Sequence, residues 1–224
     1  MSYQNFSFYT PKSFQKKLKL LSGNELSLFH TNLRSYEKNW EAFCNVVDIL
    51  GHKFDIVAFS ETWQSTTKPS SSKNFNGYHP YEQIEGTSQN SGCGLYIREN
   101  LNFKVRHDLS LSFTSNTEEF QILYIEIINK SVNIIVGVTY RHSRGALNEF
   151  LNLTQKILCK ITKENKKQIL LGDFNIDLLK SDRLISYMVP HILGPTRINE
   201  NGTTTFVQLP RQQQCKWKFV MSHY

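Results

Sequence analysis

The pattern of apolar and polar residues in the first part of the chain predicts a strand, a helix and a second strand. The short apolar stretch over 26–29 predicts the first strand, and between 36 and 50 apolar residues recur at the spacing of an amphipathic helix. Gly51 is expected to end that helix, because glycine adopts the left-handed conformation of a helix C-terminus at little cost. The near-continuous apolar run over 55–60 predicts a strand that is covered on both faces.

The rest of the chain predicts further strands and one more amphipathic helix. The polar stretch over 64–90 is rich in Ser, Thr and Asn and is expected to be a long surface excursion. The further predicted strands are 92–97, 120–128, 132–140 and 168–171, with a hairpin turn at Asn129-Lys130 and a helix over 146–161. Strands that alternate with helices in this order predict an α/β domain with mixed sheets.

Composition and charge narrow the class of protein. The chain has 224 residues, of which 39% are hydrophobic and 20% are charged, and this is typical of one globular domain. Its net charge of +7 makes a polyanionic partner physically reasonable. Residues 1–24 carry several lysines and show no sustained period, so they are expected to form a flexible basic leader.

Several other classes of protein are disfavoured. The four cysteines lie far apart and form no CxxC pair, so neither a zinc knuckle nor a redox motif is supported. No apolar run approaches the length of a membrane span, and the N-terminus shows no signal-peptide core. The sequence therefore predicts an intracellular protein of a reducing compartment, with no membrane partner.

Three of the predicted strands end on a carboxylate or an amide. Asn32 follows the first strand, Glu61 follows the second, and Asp173 and Asn175 follow the last. Residues two apart in an extended segment point to the same side, so Asp173 and Asn175 are placed to meet one substrate atom. Each of these residues alone is typical of a solvent-exposed turn. Together they predict an oxygen-rich site that suits a hard divalent cation and a phosphate.

Five short sequence blocks occur in a fixed order along the chain. They are His30–Ser35, Ser60–Trp63, Tyr140-Arg141, Leu171–Asn175 and Gly194–Ile198. In this order they resemble the signature blocks of the endonuclease domains of LINE-type (non-LTR) retrotransposons. These domains belong to the endonuclease/exonuclease/phosphatase superfamily, and the resemblance covers about residues 25–205.

The resemblance implies a fold and a mechanism. The fold is an α/β (α+β) four-layer sandwich, in which two packed mixed β-sheets are flanked by helices. Glu61 would bind Mg²⁺ (or Mn²⁺), helped by Asn32, and the cation would neutralise the scissile phosphate. Asp173 would deprotonate the attacking water, while Asn175 and Tyr140 would donate hydrogen bonds to the phosphate.

The resemblance also implies partners and a location. Thr196 and Arg141 would lie on the surface that faces DNA. The domain would come from a longer protein in which it is fused to a reverse transcriptase. It is expected to act as a monomer that nicks a DNA target site, and its substrate implies the nucleus.

The C-terminal part of the sequence departs from the family pattern. No aspartate occurs after Asp182, so the acid that would pair with the family's catalytic histidine is absent. Neither of the late histidines, His191 and His223, follows a Ser-Asp pair. We therefore expect an incomplete family-like domain over 25–208, a C-terminally truncated copy whose closing strands are missing, followed by a divergent tail over 209–224.

Three functions stay open on the sequence alone. The first is a Mg²⁺-dependent DNA endonuclease, whose activity is expected to be weak or lost without the late acid and histidine. The second keeps the superfamily but changes the substrate, as in a phosphatase or a phospholipid phosphodiesterase. The third is a non-catalytic remnant that binds DNA through its basic surface.

Overall fold

The computed structural model describes residues 11–18, 26–64, 73–88, 90–115, 118–128, 134–143, 147–175, 205–207 and 217–221. The helices within these ranges are α1 (Pro11–Leu18), α2 (Tyr36–Leu50) and α3 (Leu147–Lys163). The strands are β1 (Ser27–Asn32), β2 (Ile56–Ser60), β3 (Glu82–Ile84), β4 (Cys93–Ile97), β5 (Phe103–Val105), β6 (Leu111–Ser115), β7 (Glu118–Ile127), β8 (Ile134–Arg141), β9 (Lys167–Asp173), β10 (Thr205–Val207) and β11 (Trp217–Met221). Both predicted amphipathic helices therefore form close to where the periodicity placed them.

The strands form two mixed sheets. The first sheet has the order β10-β11-β1-β2-β4-β3, and the second has the order β5-β7-β8-β9, with β6 also paired to β7. Within each sheet one pair is parallel, β1 with β2 and β8 with β9, and the other pairs are antiparallel. This is the mixed pairing that the alternation of strands and helices predicted.

Three apolar clusters show how the layers pack. One cluster joins buried residues of both sheets, such as Leu95 of β4 and Val136 of β8, so the sheets lie face to face. A second joins α2 to the outer face of the first sheet, with Phe43 beside Phe59, and a third joins α3 to the outer face of the second sheet. The four-layer sandwich implied by the resemblance is confirmed.

Helix α2 shows why the periodic signal was reliable. Its N-terminus is capped by Ser35, whose side chain accepts a hydrogen bond from the Lys38 backbone N–H. Its C-terminus ends at Gly51, which has φ +62° and donates its N–H to the Val47 carbonyl at 3.0 Å. The predicted role of Gly51 is therefore confirmed, and α2 sets the direction in which the chain enters β2.

The parallel pairs bring the predicted polar residues to one edge of the sandwich. Asn32 pairs with Ser60 at the carboxyl ends of β1 and β2, and Tyr140 pairs with Asp173 at the carboxyl ends of β8 and β9. Strand β9 also packs against β1 and β2 across the sandwich. The strand ends of both sheets therefore meet, and the candidate site lies where they do.

The prediction that the closing C-terminal strands are missing is wrong. Strand β11 pairs antiparallel with β1, and β10 pairs with β11, so the first sheet continues beyond β1. The segment Trp217–Met221 is mostly apolar, with one lysine, and it supplies the backbone partner that β1 would otherwise lack. The prediction failed because it compared family blocks, whereas strand pairing depends on backbone hydrogen bonds and apolar content.

Two further expectations are corrected. The leader over 1–24 is not loosely ordered throughout, because Pro11–Leu18 is helical and Phe14 is fully buried against Phe54 with ring centroids 6.2 Å apart. The stretch over 64–90 is more than a surface excursion, because it contains β3 and the buried side chain of Tyr81. The hairpin turn predicted at Asn129-Lys130 lies outside the described residues. No helix within the described ranges is both long enough and apolar enough to cross a membrane.

Candidate active site

The side-chain amide of Asn32 joins two carboxylates that are far apart in the sequence. Its Nδ2 donates one hydrogen bond to Glu61 Oε1 and one to Asp173 Oδ2, each at 2.8 Å. These three side chains come from the ends of β1, β2 and β9. The structure thus brings together Asn32, Glu61 and Asp173, three of the residues that the sequence singled out.

The backbone around Glu61 is held in an uncommon conformation. Glu61 has φ +51°, in the left-handed region that residues other than glycine rarely adopt. Such a conformation costs about 1–3 kcal/mol and persists only where the surrounding contacts impose it. The parallel pairing of β1 and β2 continues past the strand ends as three backbone N–H to O=C bonds, from Leu33 to Ser60 (2.8 Å), from Ser35 to Glu61 (3.0 Å) and from Tyr36 to Thr62 (2.8 Å).

A close approach of two backbones positions Asp173. Gly172 has φ +146°, and a Cβ atom built at this position would overlap the carbonyl oxygen of Thr139 on the neighbouring strand β8. Only glycine therefore fits here without moving β9 away from β8. The Asp173 carboxylate then accepts a second hydrogen bond, from the Asn175 backbone N–H to Oδ1 at 3.1 Å. Both carboxylate oxygens are thus oriented by donors.

Asn175 and Arg141 hold the loop that follows β9. The Asn175 Nδ2 donates to the Arg141 carbonyl at 2.7 Å. In return, the Arg141 guanidinium donates to the carbonyl oxygens of Phe174 (2.9 Å) and Asn175 (2.8 Å). Arg141 is only 3% exposed, and its burial lowers the pKa of the guanidinium. The Arg141 guanidinium thus holds the carbonyl groups of the loop that follows β9, and the expectation that Arg141 faces DNA stays a prediction.

Tyr140 lies next to the carboxylates and remains protonated. It pairs with Asp173 across β8 and β9 and is nearly fully buried. Burial, with a smaller contribution from the charges of Glu61 and Asp173, raises the pKa of its phenol. Its hydroxyl is therefore available as a hydrogen-bond donor at neutral pH. Thr196, the other residue predicted to face DNA, lies outside the described residues.

Glu61 carries the main electrostatic cost of the site. Burial raises the pKa of its carboxyl group and the charge of Asp173 raises it further, whereas the hydrogen bond from Asn32 and the charge of Arg34 lower it. The Arg34 Nε lies 3.7 Å from Glu61 Oε2, which is too far for a direct hydrogen bond. The Glu61 and Asp173 carboxylates share one neutral hydrogen-bond donor, so their negative charges are only partly compensated. A bound cation would compensate the remaining charge.

The donors present fit a hard divalent cation. The Asn32 Oδ1 is buried and has no hydrogen-bond partner in the described part of the structure, next to the carboxylates of Glu61 and Asp173. These are oxygen ligands, which Mg²⁺ and Mn²⁺ prefer, and Mg²⁺ normally keeps several waters beside one or two carboxylates. Among the residues that the structure describes, no group of three or more His, Cys, Asp and Glu side chains is placed to hold a metal ion. The Asn32 amide oxygen and the Glu61 carboxylate are the groups that would hold such a cation.

A comparison of the sequence with models of protein families decides the class of protein. The model described as the Endonuclease/Exonuclease/phosphatase family matches residues 27–214, which include every residue of the candidate site. The chain belongs to this family. A search of curated protein sequences found no match to the chain.

Several solved structures share the fold. The endonuclease domain of TRAS1, a telomere-specific non-LTR retrotransposon, aligns with a TM-score of 0.52 and 16% identity, over 69% of this chain and 63% of that one. An AP endonuclease from Leishmania major aligns with a TM-score of 0.55 and 15% identity, over 76% and 64%. A humanized D. rerio TDP2 aligns with a TM-score of 0.53 and 12% identity, over 89% and 99%. The chain thus spans less than two thirds of the TRAS1 domain, and at these identities the likeness concerns the fold.

Glu119 is a residue of this family member that sequence reasoning missed. It is 4% exposed, and its carboxylate accepts hydrogen bonds from the Ser88 N–H (3.1 Å) and the Ser91 hydroxyl (3.0 Å). Burial opposes its ionisation, but hydrogen bonds from Ser88, Thr87 and Ser91 outweigh burial and lower the pKa. The Ser91 carbonyl in turn accepts the Trp63 N–H at 2.8 Å. Glu119 therefore supports the loop that carries Glu61. An acid at the start of a strand is ordinarily solvent-exposed, so no sequence signal marks it.

The raised pKa of Glu61 gives a stability prediction. Because the folded chain holds the Glu61 proton to a higher pH than the unfolded chain does, folding loses stability as the pH rises from the ordinary glutamate range through the raised pKa. In EDTA at pH 7, Glu61→Gln is therefore expected to raise the free energy of unfolding by about 1 kcal/mol. Urea denaturation measures this change in the free energy of unfolding. The gain should disappear below about pH 4, where Glu61 is protonated in the folded and the unfolded chain alike; a gain that is independent of pH would contradict the electrostatic cause. Glu41→Gln, at an exposed position of α2, is the control.

Proposed function

We propose that this chain hydrolyses phosphodiester bonds of DNA with the help of a divalent cation, as an endonuclease of the LINE type. The observation that carries the proposal is the Asn32 amide that links the Glu61 and Asp173 carboxylates at 2.8 Å each. Membership of the family supports a phosphoester substrate. The order of the five sequence blocks and the net charge of +7 support DNA over a small phosphate ester or a phospholipid.

The candidate site divides the chemistry between a few side chains. Glu61 and Asn32 would hold Mg²⁺ or Mn²⁺, which when bound would neutralise charge on the scissile phosphate and on the leaving oxygen. Asp173 would take a proton from the attacking water, because its two carboxylate oxygens are already oriented by donors. Tyr140 would donate a hydrogen bond from its phenol hydroxyl to a phosphate oxygen as charge develops there.

In this proposal Asn175 orients neighbouring residues as well as the phosphate, whereas the family resemblance implied a contact with the phosphate alone. Its Nδ2 donates to the Arg141 carbonyl, and its N–H donates to Asp173. We propose that Asn175 orients Asp173 and that its amide also reaches the phosphate once substrate is bound. We also propose that the chain acts as a monomer in the nucleus and that it derives from a retrotransposon protein with a reverse transcriptase domain. The sequence blocks alone support this part.

One observation favours a second candidate function, a DNA-binding remnant without catalysis. The sequence has no aspartate after Asp182, so the late aspartate of the family pattern is absent from it. Met221, two residues before His223, pairs with Ser27, whereas the site lies at the other end of β1, at Asn32. Five strand residues separate those ends by about 17 Å. Strand β11 therefore ends away from the site, and His223 itself lies outside the described residues. The missing late aspartate makes a slow or absent reaction the expected consequence.

Plasmid nicking tests the proposal and separates the two functions. Purified protein is incubated with supercoiled plasmid in Mg²⁺, in Mn²⁺ and in EDTA, and the open-circular product is followed on gels. One cut converts a whole plasmid, so a slow reaction is visible. We expect slow nicking in either cation and none in EDTA. Retention of DNA in gel-shift assays without any nicking would instead support the binding remnant, and nicking in EDTA would contradict the proposed chemistry.

A further inference from the structure

Two exposed side chains flank the Glu61 carboxylate. Trp63, two residues after Glu61, is 39% exposed, and the side chain of Arg34 is 46% exposed while its Nε lies 3.7 Å from Glu61. The other large apolar side chains exposed within the described residues are aliphatic. Trp63 is therefore the aromatic surface that solvent reaches beside the candidate site.

The backbone presents these two side chains at an energetic cost. Arg34 has φ +48° and Trp63 has φ +57°. A bulky residue in this region is an outlier, and each such residue costs about 1–3 kcal/mol. The indole is not used to fill the core, so burial does not explain a tryptophan at this position.

Backbone hydrogen bonds hold the strained residues in place. The loop over 33–36 is bonded to the loop over 60–62, and the Trp63 N–H is bonded to the Ser91 carbonyl at 2.8 Å. The Arg34 guanidinium is held less firmly. Among the ion pairs of the described residues it takes part in one, the 3.7 Å pairing with Glu61. The backbone at these two residues is thus held in place, while the ends of their side chains are accessible to solvent. This is the arrangement of a binding surface.

From this arrangement we infer that Arg34 and Trp63 form a nucleotide-binding rim, in which the guanidinium binds a phosphate of the DNA strand and the indole stacks on an accessible base of that strand. The inference rests on the proposed function and narrows its substrate to a strand that offers both a phosphate and a base. A guanidinium matches phosphate geometry, and stacking of a base on an aromatic side chain contributes about 1–3 kcal/mol. A small phosphate ester or a phospholipid headgroup offers no base for Trp63.

Binding in EDTA tests the rim without catalysis. The affinity of a fluorescein-labelled single-stranded oligonucleotide is measured by anisotropy, with inorganic polyphosphate as a base-free polyanion in competition. Trp63→Ala is expected to weaken oligonucleotide binding by about 5- to 150-fold, which is the stacking energy expressed as a ratio of dissociation constants. Its affinity for polyphosphate should be unchanged. Trp63→Phe should stay within about threefold of the unaltered protein, because phenylalanine also stacks.

The phosphate-binding role of Arg34 is tested in the same assay, with one control variant. Arg34→Gln should weaken the oligonucleotide and polyphosphate alike and should reduce the slope of log affinity against log salt by about 0.7. Ile49→Ala, at a 58% exposed position on α2, is the control for loss of an exposed apolar side chain and should change neither affinity. Oligonucleotide binding should also quench tryptophan fluorescence, and Trp63→Phe should remove that quenching while binding is retained.

The outcomes separate the rim from the proposed function. If Trp63→Ala weakens oligonucleotide and polyphosphate equally, or weakens neither, the rim is refuted whatever the nicking assay shows. If quenching persists in Trp63→Phe, another tryptophan is stacked and the inference is wrong. If the rim variants behave as expected while no cation supports nicking, the rim stands and the hydrolytic function fails.

Discussion

Asp173→Asn is expected to lower the rate of metal-dependent plasmid nicking by about 10²- to 10⁴-fold, the usual contribution of a general base. The substitution removes the proton acceptor of the proposed reaction. It also places an amide where Asp173 Oδ2 now accepts from Asn32 Nδ2 at 2.8 Å, so the link between the strand ends is weakened. Affinity for DNA should not fall, because the substitution removes a negative charge from the surface that phosphate approaches.

Initial rates of nicking at saturating DNA measure this effect, and gel-shift titration measures the affinity. Asp48→Asn is the matched control, because Asp48 is exposed on α2 and away from the strand ends. A nicking rate for Asp173→Asn within threefold of the unaltered protein would contradict the role given to Asp173. A loss of DNA affinity that parallels the loss of rate would show that the residue supports binding instead.

The second large effect is expected on stability. Gly172→Ala should reduce the free energy of unfolding by at least about 3 kcal/mol, because the added Cβ would overlap the Thr139 carbonyl and would sit at φ +146°. To relieve the overlap, β9 must move away from β8 at the residue that precedes Asp173. A partial loss of the parallel pairing at Tyr140 and Asp173 is the structural consequence.

Gly77→Ala separates backbone strain from overlap. Gly77 also has a positive φ of +87°, but a Cβ there would meet only the end of the Lys53 side chain at 3.8 Å. Its substitution should cost about 1–2 kcal/mol, the penalty of the left-handed backbone alone. Urea denaturation followed by circular dichroism compares the two variants. Equal costs would show that β8 and β9 do not approach as closely as described.

The sequence predicted the parts of the fold that depend on local signals. Helix α2 was predicted with its observed limits, because apolar residues recur along it and Gly51 follows it. The meeting of Asn32, Glu61 and Asp173 was also predictable, since each residue follows an apolar strand and the carboxyl ends of parallel strands share an edge. The first feature depends on local signals alone, and the second follows from the general geometry of strand ends.

Features that depend on distant contacts were not predictable. Phe14 packs on Phe54, and Glu119 binds the loop around Ser91, although nothing near either residue in the sequence indicates a partner. The environment of Arg141 is likewise set by the loop after β9, which reaches it from 33 residues further along the chain. Strand β11 was missed because its pairing with β1 depends on the backbone, which a comparison of side-chain blocks does not detect.

The most direct test of the central claim is a calorimetric titration of Mn²⁺ into the metal-free protein. We expect one binding site per chain, at least tenfold weaker in Glu61→Gln and in Asn32→Ala, and unchanged in Glu41→Gln on the exposed face of α2. Glu61→Gln should also lose plasmid nicking in proportion. Mn²⁺ binding with equal affinity to all four proteins, or to none of them, would contradict the claim that these strand ends form a cation site.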